Sequence, residues 1–284
     1  MIDFEHVTFQ YEKSERPALK DLTLHINKGE FVGMIGTSGA GKTTFAHCLN
    51  GIVPHFYKGD FYGAVKVAGM DTIENPPEKL CLTVGAVFQD IDSQMVASVV
   101  EDEILFGMEN FGVAHEEIGG RLDEVLSLLH ITELRKRQIS TLSGGQKQKV
   151  AIASILALRP DVIVLDEPTG ELDPESSLDI FRILKKLNQE QNMTVIVIEQ
   201  KIMLLCEFVD RLLVLEEGVL RLDGTPREIV AKVELLKQLG INLPRVSELS
   251  FELKKEGLYD GEIALNVEEA QKMVEGVLKH HAKI

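Results

Sequence analysis

Residues 36–43 of the chain, GTSGAGKT, are of the types needed to bind a phosphate group. They follow an apolar run, Phe31–Ile35, that predicts a buried strand, and they precede a helix predicted to begin near Lys42. Glycines let consecutive backbone N–H groups point inward and surround an anion without a side chain in the way. The positive end of the following helix adds to the attraction. The GxxxxGK(S/T) spacing therefore predicts a phosphate-binding loop for a nucleotide.

Two side chains of this loop have a predicted role of their own. Lys42 is expected to reach the β- and γ-phosphates, and the hydroxyl of Thr43 is expected to ligate Mg²⁺. A glycine-rich turn with a lysine beside it by chance is the alternative, but the strand before the loop and the helix after it disfavour that interpretation. The predicted nucleotide-binding residues of this segment are Gly36, Thr37, Ser38, Gly39, Ala40, Gly41, Lys42, Thr43 and Thr44.

Two carboxylates, Asp166 and Glu167, end a second apolar run, Val162–Leu165. A strand that is apolar on both faces belongs in the middle of a parallel sheet, and ligands bind at the carboxyl ends of such strands. Asp166 is therefore predicted to hold Mg²⁺ through water, and Glu167 to orient or deprotonate an attacking water. Alone, this segment could be a strand followed by an acidic turn, but a phosphate-binding loop in the same chain favours the catalytic interpretation.

A third motif, LSGGQ at residues 142–146, precedes a helix predicted from Lys147 to about Leu158. Ser143 and Gln146 have the spacing of a capping box, so part of the pattern signals only the start of a helix. Two glycines in a first helical turn cost about 1 kcal/mol each relative to alanine. Glycines at this cost are expected where the backbone, without side chains in the way, must approach an anion.

The order of these motifs, GTSGAGKT, LSGGQ and then VIVLDEP, resembles that of ABC ATPases, and the resemblance covers about residues 1–225. It implies a P-loop NTPase core with a mainly parallel sheet, an antiparallel β subdomain and an inserted helical subdomain. It also implies ATP hydrolysis with Mg²⁺ in a dimer whose two sites are each completed by the opposite subunit. The residues implied to contact the ATP of the opposite subunit are Ser143, Gly144, Gly145 and Gln146.

Further positions match the family residue by residue. Tyr11 in FQYEKS matches the aromatic residue that stacks on adenine, although a partly buried tyrosine at a strand end would look the same. Gln89 in VFQD matches the glutamine that senses Mg²⁺ and the attacking water, with a polar strand-end residue as the alternative. Asp173 in GELDP matches the acidic residue that crosses the dimer interface.

One catalytic position departs from the family pattern. Gln200 stands where these ATPases usually have a histidine that contacts the γ-phosphate. Glutamine can still donate a hydrogen bond to phosphate, but it cannot carry a proton. The departure therefore bears on the expected rate of hydrolysis and not on nucleotide binding. It also leaves open a weakly hydrolysing regulatory subunit.

Short apolar stretches alternate with helical patterns along the chain, which predicts an α/β domain with a largely parallel sheet. Further buried strands are predicted at Thr83–Phe88 and Thr194–Ile198. The helical stretch Glu101–Leu158 is expected to be an inserted subdomain that occupies about residues 95–160.

A domain boundary is predicted near Leu222, with an ABC domain at residues 1–224 and a helical extension at residues 225–284. Helix starts are predicted at Thr225, where a capping box and a proline coincide, and at Asn266. In the second of these helices, Val267, Val274 and Leu278 are expected to form the apolar face. The extension is either a dimer-stabilising region or an amphipathic cap on the core.

Composition limits the classes of function. A formal net charge of −15 argues against a nucleic acid held by its phosphates. No apolar run approaches the roughly 20 residues that span a bilayer, and the first residues lack the pattern of a signal peptide. Three scattered cysteines fit neither a metal site nor a disulfide framework, which suits a reducing cytoplasm. Any membrane contact is expected through a partner.

Within the ABC family, NGIVPH at residues 50–55, VFQD at 87–90 and VEDEILFG at 100–107 resemble the ATPase subunits of energy-coupling factor transporters. That resemblance implies a peripheral complex on the cytoplasmic face of the cell membrane. Its members would be a second ATPase subunit, a copy or a paralogue, an integral membrane coupling subunit and a membrane protein that captures a vitamin or metal ion.

Features of the sequence disfavour two other classes of ABC protein. Chromosome and DNA-repair ATPases carry long coiled coils between the two nucleotide motifs, but the interval from Lys42 to Leu142 shows no heptad run. Soluble translation factors of the family usually hold two ATPase domains and bind RNA, whereas this chain has one domain and is acidic. An ATPase of another transporter class stays an alternative.

Overall fold

The computed structural model describes residues 1–281. The strands of these residues are β1 (Ile2–Tyr11), β2 (Leu19–Ile26), β3 (Phe31–Gly36), β4 (Gly59–Val67), β5 (Met70–Asp71), β6 (Val84–Val87), β7 (Val162–Asp166), β8 (Thr194–Ile198), β9 (Arg211–Glu216) and β10 (Val219–Gly224). The α-helices are α1 (Lys42–Leu49), α2 (Ile52–His55), α3 (Pro77–Leu80), α4 (Val100–Asn110), α5 (His115–Leu128), α6 (Gly144–Leu156), α7 (Pro174–Gln191), α8 (Ile202–Phe208), α9 (Pro226–Val230), α10 (Val233–Gln238), α11 (Arg245–Lys255) and α12 (Val267–His281).

Six strands form the central sheet in the order β10-β9-β3-β8-β7-β6. All neighbouring pairs are parallel except β9 with β10. The four buried strands predicted from apolar runs are β3, β6, β7 and β8, each within one residue at either end. Ile198 pairs with both Asp166 and Met34, so the carboxyl ends of β7, β8 and β3 lie side by side. The predicted α/β fold is confirmed, and the loops after these strands meet at one edge.

A second sheet is antiparallel, in the order β2-β1-β4-β5. Its inner face shares a hydrophobic core with α1 and the central sheet, where the ring of Phe4 stacks on that of Phe45 at 4.6 Å between centroids. This packing fixes the carboxyl end of β1, with Tyr11, above the first helix. The antiparallel β subdomain implied by the family resemblance is present.

The helical insert consists of α4, α5 and α6, which pack against one another around buried apolar side chains such as Ile104, Leu126 and Val150. A glycine brings α6 close to the central sheet, because a Cβ on Gly85 would lie 2.2 Å from Ile155. The helix begins at Gly144, three residues before the predicted start, since the Ser143 cap closes the first turn around both glycines.

The C-terminal helices divide into two groups. α9 begins with the predicted capping box of Thr225 and Glu228, and α9 and α10 pack into the main core. α11 and α12 enclose a small core of their own that includes Ala270 and Met273. The predicted division of the chain at residue 224 stays a prediction.

The predicted apolar residues of α12 share one side of the helix, but that side is not the one the structure buries. Val267 and Leu278 are 66% and 64% exposed, and Val274 is only partly buried. α12 turns Ala270 and Met273 inward instead, because the side chains of α11 and the following loop lie against that face. Among the helices of residues 1–281, none is long and apolar enough to cross a membrane.

Candidate active site

The loop between β3 and α1 is shaped by its glycines. Gly41 has a φ of 101°, and a Cβ on it would lie 2.2 Å from the carbonyl oxygen of Ala18. A Cβ on Gly36 would lie equally close to the carbonyl oxygen of Leu215. These two positions admit only glycine without a shift of the backbone. The loop is thus a tight cradle of backbone at the amino end of α1, and that arrangement suits an anion.

Lys42 lies across this cradle. Its Nζ donates hydrogen bonds of 2.9 Å to the carbonyl oxygens of Gly36 and Thr37. Burial lowers the pKa of the Lys42 ammonium, and the nearby carboxylates of Glu167 and Asp166 partly offset that effect. The ammonium is therefore held on the inner side of the loop, where a bound anion would offset the free-energy cost of burying its charge.

Asp166 and Thr43 approach each other across the sheet edge. Asp166 is buried, and its Oδ2 accepts a 2.7 Å hydrogen bond from the Thr43 hydroxyl. Burial raises the pKa of Asp166, and the negative charges of Glu167 and Glu199 add to the rise. The Thr43 hydrogen bond and Lys42 oppose it. A divalent cation at this point would relieve the cost of the buried carboxylate.

The residues present fit Mg²⁺. This ion prefers oxygen ligands and usually takes only one or two from protein, with phosphate and water supplying the others. The paired oxygens of Thr43 and Asp166 offer that donor set. Across the described residues, no group of three or more histidine, cysteine, aspartate or glutamate side chains forms an all-protein metal cage.

The three predicted catalytic side chains lie together. Glu167 directly follows β7 with a φ of 54°, and its backbone N–H donates to the carbonyl of Ile198 at 2.8 Å. Gln89 Nε2 donates to Glu167 Oε2 at 3.2 Å, and Gln200 Nε2 donates to Oε1 at 2.7 Å. Each carboxylate oxygen keeps a lone pair for a water molecule. The left-handed backbone of a non-glycine residue stores strain, which is typical of functional sites.

Tyr11 lies at the end of β1 beside the phosphate-binding loop. Its hydroxyl is 3.0 Å from Thr44 Oγ1, and its ring meets those of Phe9 and Tyr57 edge to face. Burial raises the pKa of the phenol. The position is compatible with adenine stacking and also with a partly buried strand-end tyrosine, so the predicted role stays a prediction.

The LSGGQ segment forms the amino end of α6. Ser143 Oγ accepts from the Gln146 backbone N–H at 3.3 Å, and Gln146 Oε1 accepts from the Ser143 backbone N–H at 3.0 Å. Ser143 is exposed, and within residues 1–281 these two side chains have no other hydrogen bond. A Cβ on Gly145 would lie 2.9 Å from Leu172, so close packing within the chain is a second reason for that glycine.

Asp173 is exposed at the start of α7 and caps it. Its carboxylate accepts from the Ser176 backbone N–H at 2.9 Å and from the Ser176 hydroxyl at 2.8 Å. These hydrogen bonds lower the pKa of Asp173. The residue is accessible to a second chain, and its predicted interface role stays a prediction.

The sequence interpretation missed Glu199 and an ion pair. Glu199 is buried and hydrogen-bonded to Thr169 and to the backbone of Gln200, next to the predicted catalytic side chains. A glutamate directly after an apolar strand was the available signal, since Glu167 occupies the same position after β7. The ion pair joins Lys147 at the start of α6 to Asp92 at 2.6 Å. The two residues are 55 positions apart in the sequence, and no local pattern predicts their contact.

Comparison with known proteins identifies the family. The sequence model of the family described as ABC transporter matches residues 19–170. The energy-coupling factor transporter ATP-binding protein EcfA1 of Clostridium novyi is 38% identical over 273 residues, 95% of each chain. A putative ABC transporter ATP-binding protein of Pyrococcus horikoshii is 40% identical over 260 residues, 92% of each chain. The chain belongs to the ABC transporter family.

Two solved structures are also similar. One is cbiO1 from Clostridium perfringens, described as part of the ABC transporter complex cbiONQ, with a TM-score of 0.73, 31% identity and coverage of 87% of this chain and 97% of that one. The other is a dimeric ATP-binding cassette bound to ADP and Pi after hydrolysis, with a TM-score of 0.71, 29% identity and coverage of 80% and 99%. The chain is thus an ATP-binding, ATP-hydrolysing subunit of a transporter.

Proposed function

We propose that this ATPase energises an importer of the energy-coupling factor type, which takes up a vitamin or a metal ion, from the cytoplasmic face of the cell membrane. The observation that carries the proposal is the extent of the likeness. The EcfA1 relatives align with 95% of the chain, so the match includes most of residues 225–284. The isolated ATP-binding cassette covers only 80% of the chain.

Nucleotide binding is proposed to use the cradle before α1. The backbone N–H groups of residues 36–43 and the Lys42 ammonium would hold the β- and γ-phosphates, with Tyr11 against the adenine. Thr43 and Asp166 would hold Mg²⁺, assisted by Gln89. When bound, the ion supplies charge neutralisation and polarises the phosphate oxygens. The lowered pKa of Lys42 and the raised pKa of Asp166 support this assignment, since a bound anion and a bound cation would relieve both costs.

Hydrolysis is proposed to depend on the cluster around Glu167. The water oxygen forms a bond to the γ-phosphorus as the bond from that phosphorus to the bridging oxygen of ADP breaks. The Glu167 carboxylate accepts the proton of the water, while Gln89 and Gln200 orient the carboxylate and the water. Gln200 donates a neutral hydrogen bond to the phosphate oxygens. It would therefore stabilise the developing charge less than an imidazolium would.

Completion of the site is proposed to come from a second ATPase subunit, a copy or a paralogue. Ser143, Gly144, Gly145 and Gln146 form a partly exposed helix terminus, and the capping box leaves the backbone N–H groups of Gly144 and Gly145 for the γ-phosphate of ATP on the opposite chain. Asp173 lies on the neighbouring segment and would contact the same interface.

The membrane coupling subunit is proposed to dock on an apolar groove between β6, α4 and α6. The groove has a volume of about 450 Å³, and its apolar lining includes Val96, Phe106, Phe111, Ile155 and Leu158. Val96 and Phe106 are 64% and 46% exposed, which is unusual for large apolar side chains that lie close together. An apolar helix end of an integral membrane protein is the occupant that fits this lining.

Gln94 connects this groove with the catalytic edge. It lines the groove, and it also lines the cavity that contains Thr43, Gln89 and Asp166. Its Oε1 accepts a 3.0 Å hydrogen bond from the backbone N–H of Phe88, next to Gln89. A partner seated in the groove would therefore contact the segment that positions Gln89, which supports coupling between the membrane subunit and hydrolysis.

The C-terminal helices are proposed to stabilise the ATPase dimer. Val267 and Leu278 are both largely exposed and lie eleven residues apart, which places them on the same side of α12. Replacing both with aspartate should weaken dimerisation in sedimentation experiments if this side contacts the second subunit. An unchanged dimer would mean that the extension serves only as a helical cap on the core.

The test of the importer proposal is co-purification of the tagged chain from native membranes. We expect an integral coupling protein to accompany the wild-type chain and to be lost from Phe106→Glu. Leu249→Glu, an equally exposed apolar position on α11 at 43%, is the matched control and should retain the partner. The proposal would be contradicted if nucleic acid were recovered instead, or if neither the wild-type chain nor the Leu249→Glu control retained a membrane partner.

A second candidate function is a nucleotide-binding subunit that hydrolyses ATP only weakly, and Gln200 is the observation that favours it. Its distinguishing result is normal binding of MgATP by the purified chain together with negligible turnover. In a mixed complex, hydrolysis would then pass through the partner's site.

A further inference from the structure

Directly after β8, the side chain of Glu199 is buried, with 3% of the residue exposed. A buried carboxylate is costly unless hydrogen bonds satisfy its oxygens. Oε1 accepts hydrogen bonds from the backbone N–H of Thr169 at 2.9 Å and from its hydroxyl at 2.5 Å. Oε2 accepts from the backbone N–H groups of Gln200 at 3.1 Å and of Lys201 at 3.5 Å. Both carboxylate oxygens are therefore in use.

These hydrogen bonds join two loops that come from different strands. Thr169 is in the loop after β7, which begins with Glu167, whereas Gln200 and Lys201 are in the loop after β8. A second link runs the other way, because Lys201 Nζ donates to the carbonyl oxygen of Thr169 at 2.7 Å. The backbone N–H of Glu199 donates to the Met34 carbonyl at 3.1 Å, which anchors the connection to β3.

We propose that Glu199 is a positioning residue, whose buried carboxylate holds the loops after β7 and β8 together and so sets the Gln200 amide against Glu167. The inference rests on the proposed catalytic roles of those two residues. The 2.7 Å hydrogen bond from Gln200 Nε2 to Glu167 Oε1 spans the same two loops. Thr169 fixes one loop to Oε1 of Glu199, and the Gln200 backbone fixes the other to Oε2.

The position of Gln200 matters because its amide is neutral. A neutral donor stabilises a developing negative charge only when it is well aligned, and a misplacement of about 1 Å costs a large fraction of such a contact. Glu199 keeps the Gln200 backbone at a fixed distance from the Glu167 loop. It acts on the reaction through Gln200 and has no contact of its own with the phosphate-binding loop among its hydrogen bonds in residues 1–281.

The test is Glu199→Gln in the full-length chain, alone and combined with Gln200→Ala. The new amide presents an NH₂ group to backbone N–H donors, so it cannot satisfy both loops. In single-turnover hydrolysis we expect the rate to fall about tenfold in the wild-type background, with ATP affinity within about twofold. In the Gln200→Ala background we expect no further fall, although the melting temperature should drop equally in both.

Thr194→Val is the matched control, since it removes a buried side-chain hydrogen bond of 3.0 Å to Gly29 at the other end of β8. It should lower the melting temperature and leave the rate unchanged. Should Glu199→Gln fail to fold, Thr169→Val and Thr169→Ser carry the test. The first removes the hydroxyl donor and should slow hydrolysis, and the second keeps the donor and should restore the rate.

Two results would overturn the inference. One is an equal fall in rate in both backgrounds, which would show a general structural effect that does not pass through Gln200. The other is a folded Glu199→Gln variant with the wild-type rate. Glu167→Gln in the same assay separates this inference from the proposed function. If Glu167→Gln is active, the catalytic assignment itself fails, whereas an inactive Glu167→Gln beside an active Glu199→Gln rejects only the role of Glu199.

Discussion

At the carboxyl edge of the parallel sheet, the side chains of Asp166 and Glu167 have hydrogen-bond partners from other segments of the chain, and Lys42 bonds to the backbone of its own loop. At the amino end of α6, the side chains of Ser143 and Gln146 bond only to the backbone of the same capping box, as far as residues 1–281 show. The first region is assembled within one chain. The second is a helix terminus that caps itself, and Glu171 and Leu172 of the neighbouring segment lie against its glycines.

The electrostatics of the two regions differ in the same way. Burial raises the pKa of Asp166 and lowers that of Lys42, so the charged form of each is disfavoured in the folded protein. Beside the LSGGQ segment, hydrogen bonds at an exposed helix terminus lower the pKa of Asp173, so its charged form is favoured. The sheet edge thus holds an electrostatic cost that MgATP would relieve, whereas the charge beside the α6 terminus is already stabilised by hydrogen bonds within the chain.

Glu167→Gln should produce the largest effect, since it removes the only group at the sheet edge proposed to accept the proton of the water. We expect turnover to fall by two or more orders of magnitude, with ATP binding retained. The side chains of Gln89 and Gln200 can reorient to bond the new amide, so the fold should survive. An ATP-bound dimer should accumulate, which sedimentation would detect. Unchanged turnover would falsify the assignment.

Ser143→Arg should separate the two regions. ATP affinity of the monomer should stay nearly intact, because the phosphate-binding loop is untouched, while ATP-driven dimerisation should weaken roughly thirtyfold or more, equivalent to about 2 kcal/mol. Gln138→Arg adds the same charge at another exposed position of the insert and is the control. Loss of ATP binding by the monomer would mean that LSGGQ serves its own chain.

Gln200→His should give a smaller change, a rise in turnover of about three- to tenfold with little change in ATP affinity. An imidazolium offers the phosphate a charge-assisted hydrogen bond, roughly twice as strong as a neutral one. The gain should grow as the pH falls toward the ordinary histidine pKa of about 6.5, a dependence that glutamine cannot supply. Steady-state ATPase measurements between pH 6 and 8 check both points. A fast wild type that histidine does not improve would show that Gln200 is an adequate substitute.

Mixed dimers extend this test to the working state. Paired with a paralogue that carries histidine, most flux should pass through the site whose phosphate-binding loop belongs to the paralogue and which Ser143–Gln146 of this chain complete. Glu167→Gln in this chain should then reduce turnover less than the equivalent change in the partner. Equal losses from the two changes would reject the asymmetry.

The sequence could predict the sheet edge because the signals there are local. Each buried strand is a short apolar run, and Asp166 and Glu167 follow one of them directly. Parallel strands present their carboxyl ends on one side, so these carboxylates could be placed near Lys42 without any knowledge of strand order. The capping box of Ser143 and Gln146 is local as well, and it is present.

Contacts between distant segments could not be predicted. The link from Glu199 to Thr169 spans 30 residues and depends on the adjacency of β7 and β8. The wrong apolar face of α12 has a similar origin, since α11 decides which side of the helix is covered. Periodicity alone indicated Val267 and Leu278, whereas the helix buries Ala270 and Met273.

The smallest expected effects are changes in the stability of the ATP-free protein, and these should have opposite signs in the two regions. At neutral pH, Asp166→Asn should stabilise the ATP-free protein, on the order of 1 kcal/mol, because it removes a charge that burial disfavours while keeping an acceptor for Thr43. Asp173→Asn should destabilise it, because it removes a charge that the helix terminus favours. Thermal unfolding without nucleotide measures both differences.

The pH dependence gives the sharper test of these signs. The folded pKa of Asp166 is raised above its ordinary value of 3.8, so ionisation destabilises the fold above that folded pKa and has no effect below 3.8. The advantage of Asp166→Asn should therefore shrink as the pH falls through this window. The folded pKa of Asp173 is lowered, so its charge contributes stability above 3.8 that is lost as the pH falls through the folded pKa. The disadvantage of Asp173→Asn should vanish only in stronger acid. If Asp166→Asn instead destabilises the ATP-free protein at neutral pH, the Thr43 and Lys42 contacts outweigh burial, and the sheet edge carries no electrostatic cost for MgATP to relieve.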